Sequence, residues 1–178
     1  MAFVVVTGGP GVGKTTLLAE LARRGYRTGK DVAREFISER RRKGLAPRPS
    51  QLEFAKEVLR RDVEQCIALK GHDGLTFLDR SPIDSVGLRH EASPLPKRDL
   101  GVLLEAFHFE SPVFILPPWP EVFTNDAERD QSFTHAVQVH VRTVAWYSGL
   151  GYKLNEVPTG PVEQRADYVL GVLGQGDA

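Results

Sequence analysis

Apolar residues in this chain fall into two rhythms. Short unbroken runs at residues 2–7 (AFVVVT), 75–78 (LTFL) and 113–116 (VFIL) have the length and composition of strands buried on both faces. A further strand is predicted at 152–157, and a weak one at 26–30, where Gly29 interrupts the pattern. Between the runs, apolar residues recur every three to four positions. This predicts a helix over 14–24, with Leu17, Leu18, Leu21 and Ala22 on one stripe and Gly25 closing it. A second helix begins at Asp31, places Val32, Phe36 and Ile37 on one side, and ends at Gly44. Ser50 and Glu53 have capping-box spacing and open a long helix to about Lys70, with Leu52, Ala55, Leu59, Val63 and Ile67 inward. Two short helices fit 83–109, split by Ser93, Pro94 and Pro96. Asn125 and Glu128 form another capping pair, for a helix to about Ser148, and a last helix covers 162–173. Strands alternating with helices predict an α/β layered fold with a mainly parallel sheet.

Length and composition narrow the setting. The 178 residues suit one domain spanning 1–178, and 41% hydrophobic with 26% charged residues is ordinary for a globular chain. Lys plus Arg and Asp plus Glu both total 23, which argues against bulk nucleic-acid or anionic-membrane binding, though not against a local basic cleft. The basic run Arg40 to Lys43 therefore reads first as cations facing the negative end of a helix, and second as a nucleic-acid contact. Cys66 is the single cysteine, so no internal disulfide forms and a reducing compartment fits; it is expected to pack as a small apolar residue. The opening apolar run is too short for a signal peptide or a membrane span. The cytoplasm is the expected location.

The strongest chemical signal follows the first run. Gly8, Gly9, Pro10, Gly11, Val12, Gly13, Lys14, Thr15 and Thr16 fit the phosphate-binding loop pattern G-x-x-x-x-G-K-[ST], in its required setting between a buried strand and a helix. Glycines let the backbone curl with its N–H groups inward, and the helix N-terminus adds its dipole to the same anion. Lys14 is placed to reach the β- and γ-phosphates, and the Thr15 hydroxyl to ligate Mg²⁺. In an open parallel sheet the ligand lies at the carboxyl ends of the strands. Asp79, ending the run at 75–78, thus stands where a metal-holding acid belongs; Ser81 with Pro82 takes the competing helix-cap role. Arg80 faces the same mouth, to hold substrate or to make a surface salt bridge. The chain lacks Asp-x-x-Gly after this run and any Asn-Lys-x-Asp, which excludes a GTPase, and it has no Leu-Ser-Gly-Gly signature. The five histidines show no metal-binding spacing.

The loop together with Asp79-Arg80-Ser81-Pro82 resembles the small P-loop kinases of deoxynucleosides and thymidylate. The stretches VVTGGPGVGKTTLLAELARRGY, AREFI, FLDRSPIDS, FILPPWPEVFTNDAERDQSF and GYKLNEVP…VEQRADYVL are similar to the AAA_28-type P-loop ATPases, related in appearance to ribosylnicotinamide kinase domains. That resemblance implies a three-layer α/β/α fold with a five-stranded parallel sheet in the order 2-3-1-4-5. It implies a lid at about 118–130 whose Arg129 closes on phosphates, and a loop from Pro158 to Pro161 against the nucleotide base. It also matches Asp31 to a family glutamate that binds substrate or acts as base, and Arg34 to a family arginine.

Taken together, the residues predict an ATP- and Mg²⁺-dependent phosphotransferase acting on a nucleoside, nucleotide or similar small acceptor. Lys14 and the loop amides hold phosphates, Thr15 and Asp79 place Mg²⁺, Arg80 and Arg129 neutralise charge, and Asp79 or Asp31 orients the attacking hydroxyl. A second class fits the same residues: an ATP-binding regulatory switch that hydrolyses slowly and signals to a partner.

Overall fold

A computed structural model describes residues 2–71, 73–109, 112–123 and 132–175. Five strands, β1 (Ala2–Gly8), β2 (Arg27–Thr28), β3 (Leu75–Asp79), β4 (Val113–Leu116) and β5 (Leu154–Glu156), form a parallel sheet in the order β2-β3-β1-β4-β5. Seven helices are described among these residues: α1 (Lys14–Arg23), α2 (Val32–Arg42), α3 (Gln51–Leu69), α4 (Pro82–Ala92), α5 (Lys97–Ala106), α6 (Phe133–Gly149) and α7 (Val162–Val172). The three-layer α/β architecture and the strand order are those expected.

β1 runs unbroken in apolar residues because it is central and covered on both sides. Val4, Val5 and Val6 are all fully buried. Val4 and Val6 join Leu17, Leu21, Phe77, Phe114, Val169 and Leu170 under α1 and α7, whereas Val5 turns to Ile83, Val113 and Tyr147 under α4 and α6. Register then fixes the mouth of the site. Val6 lies opposite Asp79 and Gly8 opposite Leu116, so the carboxyl ends of β3, β1 and β4 come out side by side.

Helix ends follow their sequence signals. Ser50 and Glu53 make the reciprocal capping box of α3. A second box joins Ser81 and Asp84 at the start of α4, with Pro82 in the first turn, which leaves Asp79 outside the cap. Arg40, in the last turn of α2, donates to Ala46 O at 2.6 Å and lies over the Phe36 ring, in keeping with a helix-terminal role. Ser132 caps α6; Asn125 and Glu128 lie outside the described residues.

Three expectations need correction. The second strand shrinks to two residues because it is an edge paired with β3 alone; the chain leaves at Gly29, whose N–H still reaches Phe77 O at 2.7 Å. The fifth shrinks to three, the other edge. The inward stripe of α3 is Ala55, Val58, Asp62 and Cys66, and Ile67 is 61% exposed. Periodicity gives a helix its face to within one residue's rotation. Here α3 packs on α4, and the close approach takes the smaller side chains and one polar pair. Cys66 is buried there as expected, and burial pushes its thiol up to about 12. Among the described residues no helix is long and apolar enough to cross a membrane.

Candidate nucleotide-binding site

The site begins where β1 ends. Gly11 and Gly13 have φ of 74° and 83°, values that side chains rarely tolerate, and the loop they shape delivers the chain into α1. Gly13 is the N-cap of α1 and offers no side-chain acceptor, so the first N–H groups of the helix remain for an anion. A Cβ on Gly11 would lie 2.6 Å from the Phe123 ring, which packs edge-on against Phe133 with centroids 5.5 Å apart. Phe123 and Phe133 thereby meet beside the loop. Arg129 lies outside the described residues.

Lys14 is buried rather than facing solvent. It is only 5% exposed, and its amine donates to Gly8 O at 3.2 Å and Gly9 O at 2.8 Å. The loop presents the Gly8 and Gly9 carbonyls at its entry, and the ammonium finds these acceptors. Arg80 reaches the same place from β3. Its Nη2 donates to Gly8 O at 2.8 Å, its Nη1 lies 3.7 Å from Asp84 Oδ1, and its backbone N–H donates to Val6 O at 2.9 Å. Arg80 is the sole described non-glycine residue with positive φ, at 68°. That conformation costs about 1–3 kcal/mol, so three contacts hold it. They turn the guanidinium onto the loop.

Asp84 ties these parts together. Its Oδ1 accepts from Thr7 Oγ1 at 2.6 Å; its Oδ2 accepts from Tyr147 Oη at 2.6 Å and from the Ser81 N–H at 2.9 Å. One carboxylate thus joins β1, the turn after β3, α4 and α6. Burial, and then the charge of Asp84, holds the Tyr147 phenol well above its ordinary range, so it remains a donor. Sequence reading gave the cap to Ser81 and missed Asp84, whose signal was its place three residues after that cap. Tyr147 carried no sequence signal beyond its place on an apolar face.

The family model described as AAA_28, AAA domain, matches residues 3–165. The chain belongs to the AAA_28 family. Among curated proteins no significant sequence match is found. In structure the AAA_28 chain is similar to a deoxyadenosine kinase from M. mycoides with bound dATP, at TM-score 0.66 and 12% identity over 97% of this chain and 99% of that one. It is similar to thymidylate kinase from Candida albicans at TM-score 0.67 and 12% identity, over 97% and 91%. It also matches a NadR protein in complex with NR at TM-score 0.66 and 19% identity, over 97% of this chain but about half (52%) of that one. At such identities the shared property is the fold.

Strand order separates the remaining candidate residues in this AAA_28 domain. Asp31 follows β2 at one end of the sheet and Pro158 follows β5 at the other, with the loop between them. Pro158 is exposed. Asp31 is half-buried and caps α2, its Oδ1 accepting the Arg34 N–H at 3.0 Å. On the same flank lies a residue that sequence reading missed. Asp62 is 2% exposed on α3 and accepts a hydrogen bond from Ser85 Oγ. Its signal was an acid inside the true inward stripe, hidden by choosing the neighbouring one. Arg165 was also missed: it is 4% exposed beside Ala166, Val169 and Leu170 on α7, and its Nη2 donates to Gly13 O at 3.2 Å. A cavity of about 460 Å³ lined by Ile83, Leu104, His108 and Tyr152 contains none of the candidate site residues.

Burial pushes the Asp62 carboxyl up to about 7; the Ser85 hydrogen bond lowers it, Asp84 and Asp31 raise it, and Arg80 lowers it. A folded-state value above the ordinary 3.8 means that the native protein holds this proton more tightly than the unfolded chain. Stability from this group is therefore full below about pH 4 and declines as pH rises toward 7, by on the order of 4 kcal/mol in all. Asp62→Asn should flatten that limb of the stability–pH curve, measured by urea unfolding between pH 4 and 8. An unchanged slope in the variant would show that the proton sits elsewhere.

Metal holding depends on few protein groups. The described residues include no cluster of three His, Cys, Asp or Glu side chains able to hold an ion by themselves. Thr15, exposed at the loop mouth, and Asp79, buried at the end of β3, instead offer one hydroxyl and one carboxylate. These hard oxygens suit Mg²⁺, which usually keeps waters and shares its shell with substrate phosphates. The residues fit the ion.

Proposed function

We propose that this protein is an ATP-dependent phosphotransferase whose acceptor is a nucleoside, a nucleotide or a similar small hydroxyl compound. The observation that carries the reading is Arg80, held at positive φ with its guanidinium on the Gly8 carbonyl that Lys14 also reaches, and within the electrostatic influence of the Asp84, Asp31, Asp79 and Asp62 carboxyls. A cation there serves both the transferring phosphate and an acceptor on the β2–β3 flank. The N–H groups of the loop and of the first turn of α1 bind the phosphates, and Lys14 exchanges Gly8 and Gly9 carbonyls for phosphate oxygens. Thr15 and Asp79 would hold Mg²⁺, which supplies positive charge to the phosphates. Asp31 or Asp79 orients the acceptor hydroxyl. Pro158, on the β4–β5 flank, belongs to the nucleotide base, and Arg129 is assigned to closing on the phosphates. A cytoplasmic setting belongs to this reading because it supplies ATP.

The test is to incubate the protein with ATP and Mg²⁺ against a panel of nucleosides, nucleotides and pyridine nucleosides, measuring ADP and phosphorylated product together. One or a few acceptors should raise ADP formation, with product matching it mole for mole. ADP and inorganic phosphate formed at one rate whatever is added would instead make it a hydrolysing switch. In the same assay Asp79→Asn should lower turnover by about 10²- to 10³-fold, while ADP affinity in EDTA stays within about threefold because backbone amides carry the grip. Loss of ADP binding in EDTA would place Asp79 in the phosphate grip rather than at the metal.

A further inference from the structure

Two other partly buried arginines of this chain are paired with acids. Arg24 pairs with Glu20 at 2.7 Å and Asp167 at 2.5 Å, and Arg61 with Glu39 at 2.7 Å and Glu57 at 2.8 Å. Arg165 differs. At 4% exposure it is more buried than either, yet among the described residues its guanidinium makes one hydrogen bond, to a neutral carbonyl, and burial is the one influence on its proton affinity, which it lowers. That carbonyl, Gly13 O, already accepts the Leu17 N–H at 3.1 Å in the first turn of α1. A charge taken out of water without a counter-charge is costly, and here the counter-charge is missing beside a loop built to hold anions.

Its position is specific. A Cβ on Gly13 would stand 3.0 Å from Nη1 and 3.4 Å from Nη2 of Arg165, so the guanidinium rests against the backbone at the start of α1. Gly13 is thus required both by its φ of 83° and by this contact. α7 follows β5, so Arg165 comes to the loop from the flank opposite Arg80. Arg80 meets the loop at Gly8, its entry, and Arg165 at Gly13, its exit.

We propose that Arg165 is a nucleotide-binding residue, its guanidinium donating to the α- and β-phosphates that remain in ADP, as Arg80 serves the transferring end. The assignment rests on the nucleotide reading of the loop and extends it to a residue outside the loop motif. A phosphate oxygen replaces a neutral, shared carbonyl with a charge-assisted acceptor, and the fork of the guanidinium can take two. α7 is thereby coupled to nucleotide occupancy, because the Arg165 N–H is anchored to Pro161 O, the end of the loop assigned to the base.

The experiment measures equilibrium binding of ADP, tripolyphosphate and adenosine to the full-length wild type, Arg165→Gln and Arg165→Lys, in EDTA without any acceptor, together with the melting temperature of each unliganded protein. Arg165→Gln should weaken ADP and tripolyphosphate by about 10- to 100-fold, the worth of hydrogen bonds between charged groups. Adenosine affinity should not change, and the unliganded melting temperature should hold or rise, because a desolvated charge is gone. Arg165→Lys should fall between, keeping charge and losing the fork. Wild-type-like binding of ADP and tripolyphosphate by Arg165→Gln overturns the proposal, as does an equal loss for all three ligands; either makes Arg165 a packing clamp. Should Arg165→Gln not fold, Arg165→Lys decides, since ADP binding equal to wild type would overturn it. A wild type that binds neither ADP nor tripolyphosphate fails the nucleotide reading itself, and the Arg165 assignment falls with it.

Discussion

Lys14→Ala is expected to reduce ATP turnover by about 10²- to 10³-fold, the range for removing one preorganised charge from a developing transition state. Two opposed effects are separable. On the chemical side, the variant loses the cation proposed to bridge the β- and γ-phosphates. On the structural side, Gly8 O and Gly9 O lose a donor, a change of about 1–3 kcal/mol for a buried acceptor left without one. Arg80, whose Nη2 already reaches Gly8 O, limits that second cost. The fold should therefore survive with a modestly lower melting temperature. Turnover at the wild-type rate in a folded variant would mean that the nucleotide is bound elsewhere.

Asp84→Ala carries the largest expected cost in stability, about 3–5 kcal/mol, as for removing one partner of a buried, hydrogen-bonded charge network. The Thr7 and Tyr147 hydroxyls and the Ser81 N–H all donate to this carboxylate, and Arg80 stands 3.7 Å away. Without it Arg80 loses one of the contacts that offset its strained φ, so activity should fall further than stability alone explains. Tyr147→Phe should cost about 1–2 kcal/mol by itself, and the double variant should cost less than the sum, because both act on one network. Urea unfolding of the four proteins measures this cycle. Strict additivity, or a loss under about 0.5 kcal/mol for Asp84→Ala, would reduce Asp84 to an ordinary helix cap.

What could be read from residues alone was local and periodic. The valine run of β1, the glycine spacing up to Lys14, the Ser50–Glu53 box, the Ser81–Pro82 helix start and the proline breaks around 94–96 each state a backbone conformation within a few residues. Backbone sterics and hydrogen-bonding groups act at that range, so α/β alternation, the phosphate loop and the helix starts follow directly. The strand order came from the family resemblance rather than from any local signal. Reading failed where a residue's meaning depends on what lies across from it. Asp62 and Arg165 look like surface charges on amphipathic helices until packing rotates them inward, against Ser85 and Gly13. Lys14 and Arg80 carried the right chemistry, but their sharing of Gly8 O is set by β1 and β3 lying side by side in the sheet. Tyr147 meets Asp84 from 63 residues away. The sequence by itself determined which segments are strands and helices and where the phosphate-loop motif lies between them. The tertiary structure alone decided which charges are buried, because burial is a property of the partner surface and no local pattern encodes the partner.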